Sequence, residues 1–310
     1  MIGVEIKERL GNQLFRYAYA RSIQIGRGDR DELLFGLSSF KGKSPDDGWR
    51  NQLDDFNIVP ARSSGRKLVY SEGSLTQKIL LAAYYADMKL LRKPHSLKER
   101  HQRQNQWNHI LQKHGLLVAY DNKYEASFPL QGNIFLEGSF ENPKYFDAIR
   151  PALLEELTPR KGRIQDNAAL YEAIDKGNAV CVSVRRGDFL SPQFRDLFDV
   201  CGADYYRKAM EKMRELAPDC RFIFFSDDVE WVKANLAGPE DLCESGNDPN
   251  WEKLRLMYSC RHFIICNSSF AWWAQYLGRS KDKIVLSPDR WYNDDRPQEL
   301  LLDSFIKIEV

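Results

Sequence analysis

The chain has almost no net charge: 45 Lys and Arg stand against 44 Asp and Glu over 310 residues. No global field draws it to nucleic acid or to a membrane, so any recognition of anions has to be local. No stretch approaches the roughly 20 apolar residues of a membrane span. The opening Met1-Ile2-Gly3-Val4-Glu5-Ile6 is too short and too interrupted by charge for a signal peptide. These absences predict a cytoplasmic protein without a membrane span. The six cysteines, Cys181, Cys201, Cys220, Cys243, Cys260 and Cys266, form no C-x-x-C pair and mostly lie in or beside apolar segments, so they read as reduced core thiols. Five histidines show neither H-x-x-x-H nor H-E-x-x-H spacing, which argues against zinc. The one D-x-D string, Asp29-Arg30-Asp31, sits in a charged turn instead of following an apolar strand, and no metal is expected there. No G-x-G-x-x-G turn follows a strand, which sets aside a dinucleotide-dependent oxidoreductase.

What is present is alternation. Short apolar runs and longer amphipathic stretches follow one another from end to end, the pattern of wound α/β layers with parallel sheets. Strands are expected at Ile2 to Ile6, Leu68 to Tyr70, Ile134 to Leu136, Val180 to Val184, Arg221 to Phe225, Phe263 to Cys266 and Ile284 to Leu286. Helices are expected at Asn12 to Ile25, Leu75 to Leu91, Ala203 to Leu216, Val229 to Leu236, Trp251 to Ser259 and after Ser268. The loop from Phe40 to Asn51, with glycine, proline and acids, reads as mobile. Pro159-Arg160-Lys161-Gly162 breaks the pattern and divides the chain into residues 1–160 and 161–310.

Three strand ends carry polar groups suited to ligands. Val180-Cys181-Val182-Ser183-Val184 runs into Arg185-Arg186-Gly187-Asp188, placing two guanidiniums at the carboxyl end of a buried strand. Guanidinium forks match phosphate oxygens, so the pair suits a pyrophosphate without a metal. A salt-bridged strand end, with an arginine paired to Asp188 or another acid, is an equal reading. Phe224-Phe225 ends in Ser226-Asp227-Asp228, where one aspartate caps the next helix and the other can accept from a sugar or base. Phe263-Ile264-Ile265-Cys266 ends in Asn267-Ser268-Ser269, whose hydroxyls and helix-start amides suit phosphate oxygens. Trp272 and Trp273 follow, about 100° apart on a helix, so at least one belongs to the core. Near the amino terminus Gly11 permits a sharp turn, while Asn12 and Gln13 face the mouth of the first sheet, in a segment that alone reads as an ordinary capped helix. Lys89 to Arg103 holds six bases against the single acid Glu99. A solvated face is the first reading of it, and a docking surface for anionic lipid the second.

In this order, these segments resemble the bacterial branch of the alpha-1,2-fucosyltransferase family. Leu10-Gly11-Asn12-Gln13-Leu14-Phe15-Arg16-Tyr17-Ala18 resembles its L-G-N-Q-[ML]-F-Q-Y-A signature, and Gly138-Ser139-Phe140-Glu141-Asn142-Pro143-Lys144-Tyr145-Phe146 is similar to its G-Y-[WF]-Q-S-x-K-Y-F segment. Arg185-Arg186-Gly187-Asp188 resembles the core of H-x-R-R-x-D, shared with alpha-1,6 and protein O-fucosyltransferases. Phe225-Ser226-Asp227-Asp228 and Asn267-Ser268-Ser269-Phe270-Ala271-Trp272-Trp273 complete the set.

The resemblance implies two Rossmann-like domains of GT-B-like type with a deep cleft between them, an acceptor side in residues 1–160 and a nucleotide-sugar domain in 161–310. It implies metal-independent, inverting transfer of L-fucose from GDP-fucose to the 2-hydroxyl of a galactose on a glycan, with no cofactor. Arg185 would contact the β-phosphate, with Arg186 in support. Ser268, Ser269 and Asn267 would lie by the diphosphate, Asp227 by the donor, and Gly11, Asn12 and Gln13 across from it. Asp188 is a candidate catalytic carboxylate, though the arginines beside it weaken it as a base and orienting Arg185 is an equal role. Three positions depart from the family pattern. Ser183 replaces the motif histidine, Arg9 replaces a glycine, and Lys253 stands where an acid usually precedes L-x-L-M, leaving Glu252 or Asp248 as substitutes for reading guanine. These changes keep open a non-catalytic nucleotide-sugar or glycan-binding module, or a fucosyltransferase of another linkage.

Overall fold

The computed structural model describes residues 1–46, 48–91, 94–120, 124 and 132–310. The chain divides into two units, Met1–Asp54 with Ile58–Glu156, and Asp55–Asn57 with Leu157–Val310. Arg92 and Lys93 of the basic run, and Asp47 of the 40–51 loop, lie outside the described residues.

The first unit carries β1 (Ile2–Glu5), β2 (Leu33–Gly36), β3 (Ala61–Ser64), β4 (Leu116–Ala119) and β5 (Ile134–Gly138), in the order β3-β2-β1-β5-β4. Every ladder is parallel. Its helices are α1 (Leu10–Gly26), α2 (Leu68–Glu72), α3 (Leu75–Ala86), α4 (Leu97–Leu111) and α5 (Arg150–Glu156), and a π-helical turn, Asp87–Leu91, continues α3. Central β1 is buried on both faces, which is why its sequence runs nearly without polar interruption. The inner side of α3 packs Leu81 and Tyr84 with Leu34, Leu116, Val118 and Phe135. Ser74 and Gln77 start α3 with a reciprocal capping box.

One expected strand is a helix. Leu68 to Tyr70 reads as β from Leu-Val-Tyr, yet it forms the first turn of α2, with Leu68 N–H donating to Glu5 Oε1 at 2.7 Å. Leu68 and Val69 turn inward while Tyr70 stays 45% exposed, so burial of two neighbours on one side suits a helix turn better than alternation.

The second unit carries β6 (Ala179–Val184), β7 (Arg221–Ser226), β8 (Leu242–Cys243), β9 (His262–Ile264), β10 (Val285–Pro288) and β11 (Ile306–Ile308), in the order β11-β10-β9-β6-β7-β8. Its helices are α6 (Ala168–Asp175), α7 (Arg195–Phe198), α8 (Ala203–Leu216), α9 (Val229–Asn235), α10 (Asn250–Ser259) and α11 (Ser269–Leu277). All ladders are parallel here too. Both units thus have the wound α/β architecture expected of a GT-B-like enzyme. Strand β6 lies between β7 and β9, with Val184 beside Ser226 and Val182 beside Ile264. The residues that follow these three strands therefore meet at one edge of the sheet. The six cysteines are free thiols. Among the described residues no helix is long and apolar enough to cross a membrane.

Candidate functional site

The centre of that edge is the Arg185 guanidinium. Its Nε and Nη2 donate to Asp188 Oδ1 at 3.0 and 2.6 Å, and Nη1 lies 2.9 Å from Asp227 Oδ2. Arg186 donates its backbone N–H to Asp227 Oδ1 at 2.9 Å, sets Nε 3.2 Å from Asp228 Oδ2, and stacks 3.8 Å from the Trp231 ring centroid. A Cβ on Gly187 would come within 2.8 Å of Asp227 Oδ2, so glycine lets the loop close onto that carboxylate. The two aspartates after β7 divide their work. Asp228 caps α9, accepting from Trp231 N–H at 3.1 Å, while Asp227 braces the arginine loop.

Both readings of the arginine pair are thus combined, since the carboxylates hold the guanidiniums at the strand end. The Arg185 and Arg186 side chains are about a quarter exposed, and Asp188 is 43% exposed. Pairs this open are worth about 0–1 kcal/mol, so an incoming phosphate can take the Asp188 edge of Arg185 at little cost.

One strand over, α11 opens with half-buried Ser268 and Ser269. The Ser268 side chain makes no cap bond, and the first bond of the helix runs from Trp272 N–H to Ser268 O at 2.9 Å. Among the described residues, the N–H groups of Ser269, Phe270 and Ala271 find no acceptor, leaving a cup of donors at a helix start. Asn267 does something different. It is buried, and its amide donates to Phe198 O and Trp291 O at 3.0 Å each, tying the loops around the cup. Trp272 and Trp273 are both core residues, fully buried.

Ser183 lies 3.7 Å (Oγ to Sγ) from Cys266, a small contact where the family carries an imidazole. Lys253 donates to Gly246 O at 2.6 Å and lies 3.6 Å from Glu244 Oε2. Glu244 is fully buried, and burial pushes its carboxyl up despite Lys253. Of the two substitutes for reading guanine, Glu252 is committed elsewhere, accepting from Ile164 N–H and Tyr171 OH at 2.9 Å each and pairing with Arg255. Asp248 accepts from Asn167 Nδ2 at 2.9 Å. Sequence reasoning missed Glu244, although its place directly after the apolar pair Leu242-Cys243 repeats the pattern of the other strand ends.

In the first unit the opening motif works inward. Gln13 is fully buried, its Nε2 donating to Glu8 O and Arg50 O at 2.8 and 2.9 Å and its Oε1 accepting from Gln52 N–H at 2.9 Å. It does not face the mouth of the sheet, because its amide is bonded to three residues, Glu8, Arg50 and Gln52. Asn12 donates to Glu8 Oε2 at 2.9 Å, and Gly11 is buried within α1. Glu8 adopts φ 63°, a left-handed backbone unusual for glutamate, anchored by buried Arg16 at 2.9 Å.

A second cluster went unseen in the sequence. Glu137 on β5 accepts through Oε1 from Tyr85 OH, from Tyr120 OH at 2.6 Å, and from Lys7 and Lys67 at 3.2 and 3.1 Å. Burial alone would raise this carboxyl, but Lys7 and Lys67 and then the two phenols override it and hold it down at about 2. The β1–β5 register sets Val4 beside Leu136, so Glu5 follows alongside Glu137. Burial pushes Glu5 up, with Glu137 adding to it. Both carboxyls keep Oε2 buried and, among the described residues, without a partner. The contributing residues lie far apart in the chain, so no local spacing announces them.

These two parallel α/β units, with an anion-seeking strand edge in the second, are those of a glycosyltransferase. Residues 1–309 match Glycosyl transferase family 11, and the chain belongs to that family. It is similar to the O-antigen biosynthesis glycosyltransferase WbnK of Escherichia coli, 24% identical over 311 residues that cover 96% of this chain and 97% of the relative. An alpha-1,2-colitosyltransferase of Escherichia coli is 27% identical over 290 residues, covering 91% and 89%. Over 146 residues, 43% of this chain and 40% of the relative, it is 34% identical to galactoside alpha-(1,2)-fucosyltransferase 1 of Saimiri boliviensis boliviensis.

Proposed function

We propose that this chain transfers L-fucose from GDP-fucose to the 2-hydroxyl of a galactose residue on a glycan, with inversion and without a metal. The observation that carries the reading is the meeting, at one edge of the second sheet, of Arg185 and Arg186 with the Ser268 hydroxyl and the uncommitted N–H groups of Ser269, Phe270 and Ala271. Fixed donors aimed at a departing diphosphate lower the barrier by stabilising charge that develops as the sugar leaves. Arg185 is assigned to the β-phosphate, and Arg186 supports it from its seat on Trp231. Asp227 keeps both in place. Asp188, paired to Arg185, orients that guanidinium and yields its edge to the phosphate. The first unit is assigned the acceptor. The free thiols favour a reducing, cytoplasmic setting.

The test is calorimetric titration with GDP, UDP and GDP-fucose in EDTA, followed by turnover with lactose. Arg185→Ala is expected to abolish transfer and weaken GDP binding by at least about tenfold, the loss of one charge-assisted bidentate contact, with an unchanged thermal melt. Turnover near the wild-type rate in that variant, or activity restored only by manganese, would refute the reading. GDP binding without GDP release from GDP-fucose plus lactose would instead mark a binding module.

A further inference from the structure

Helix α3 is apolar on two opposite sides. Leu81 and Tyr84 are buried in the core of the first unit, while Leu75 and Ile79 are 74% and 59% exposed. Exposed Ala82 and Ala83 continue the outer face at helical spacing, and the π-helical turn extends it with Leu90 and Leu91, 80% and 77% exposed. A helix with apolar residues on two opposite sides is ordinarily covered on both. This one has a bare face.

The sequence of this stretch is equally one-sided in charge. Residues 75–103 hold seven Lys and Arg against two acids, in a chain whose net charge is +1. Both acids are engaged: Asp87 is buried and accepts from Trp107 Nε1 at 2.7 Å, and Glu99 pairs with Arg103 at 2.7 Å. Lys89, Lys98 and Arg100 are exposed, and Lys78 is half-buried beside Ile79.

We propose that this face docks on a bilayer surface carrying anionic headgroups, with Leu75, Ile79, Leu90 and Leu91 entering the interfacial layer and Lys78, Lys89, Lys98 and Arg100 meeting the headgroups. An interfacial helix needs a leucine-rich stripe with basic residues alongside. A protein interface favours aromatic anchors, and this stripe of leucine, isoleucine and alanine, with lysine at its side, has none. The surface lies on the membrane without crossing it, since no described helix is of spanning length and hydropathy. The inference stands apart from the transfer reaction.

The experiment is co-sedimentation of the full chain with vesicles of phosphatidylcholine alone and with phosphatidylglycerol added, at low and high salt, alongside sedimentation velocity of the free protein. Partitioning is expected to rise roughly tenfold or more with phosphatidylglycerol and to fall with salt, as several basic residues near the surface require. A triple variant, Leu75→Gln with Ile79→Gln and Leu90→Gln, is expected to lose that partitioning while keeping wild-type affinity for GDP, which reports on the second unit. Equal partitioning onto neutral vesicles, or no loss in the triple variant, would overturn the proposal. So would a dimer dissociated by the same substitutions, since the face would then belong to a second copy.

Discussion

Arg185 is gripped from both edges, by Asp188 on one and Asp227 on the other, and these two carboxylates should differ in their effect on the donor. Asp188 competes with phosphate for the same Nε and Nη2 protons. Asp188→Asn is therefore expected to tighten GDP binding about fivefold, the equivalent of about 1 kcal/mol for releasing an exposed pair, as calorimetry would show. An unchanged or weakened affinity would mean that Asp188 is not displaced. Glu137 gives a prediction about acid. Its folded-state value is depressed to about 2, so its contribution to stability is present above the unfolded value near 4.5 and is lost as pH falls through the folded one. Urea midpoints measured between pH 5 and pH 2 should fall more steeply for the wild type than for Glu137→Gln. Parallel slopes would show that the lysines and phenols do not hold the charge. At this scale the sequence was legible where polar groups directly follow an apolar run, which is how Arg185, Asp227 and Ser268 could be placed at the ends of neighbouring strands. It was illegible where a side chain's partner lies far along the chain. Nothing near Gln13 points to Arg50 and Gln52, and nothing near Glu137 points to Lys7, Lys67 and Tyr85.

Burial alone did not make an element legible, since β2 and β4 are buried at every position yet were not expected from the sequence. Strand β6, apolar but for Ser183, and helix α8, whose period is clean, follow the expected bounds closely. Strand β3 reads Ala-Arg-Ser-Ser and lies at the edge of its sheet, where one side needs no apolar partner, so hydrophobic patterning could not reveal it. Two-residue β8 offers too little to read. Gly138, in the second family segment, has a purely steric role at this scale. It sits beside Ala119 in the β4–β5 ladder, and a Cβ there would fall 2.1 Å from Ala119 O. Gly138→Ala is expected to cost about 2–3 kcal/mol, the upper range for forced overpacking, because backbone must move to admit it. Chemical denaturation would measure the loss. A cost below 1 kcal/mol would show that the ladder yields freely.

For the whole molecule the connectivity is less simple than one break near Pro159. Asp55–Asn57 belongs to the second unit although first-unit chain flanks it on both sides. Phe56, fully buried, bridges Pro159, and Asn57 N–H donates to Thr158 O at 3.0 Å while Arg160 N–H donates to Asp55 O at 2.9 Å. Composition does not mark this segment, since Phe56 resembles any apolar residue in a loop. Residues 157–310 expressed alone are expected to lack a cooperative melt and GDP-dependent stabilisation, because removing a buried phenylalanine costs about 3–5 kcal/mol before the backbone bonds are counted. A sharp melt of that fragment, shifted upward by GDP, would count against the role given to Phe56.

The same short segment sets an order of events on the ribosome. Residues 55–57 leave the exit tunnel about a hundred residues ahead of their partners at 158–160, a lag of roughly 5–20 s at ordinary translation rates. Throughout that interval the nascent chain displays a phenylalanine with nowhere to go. Emergence of residues 158–160 is therefore also the moment at which the first half stops offering a sticky loop to chaperones.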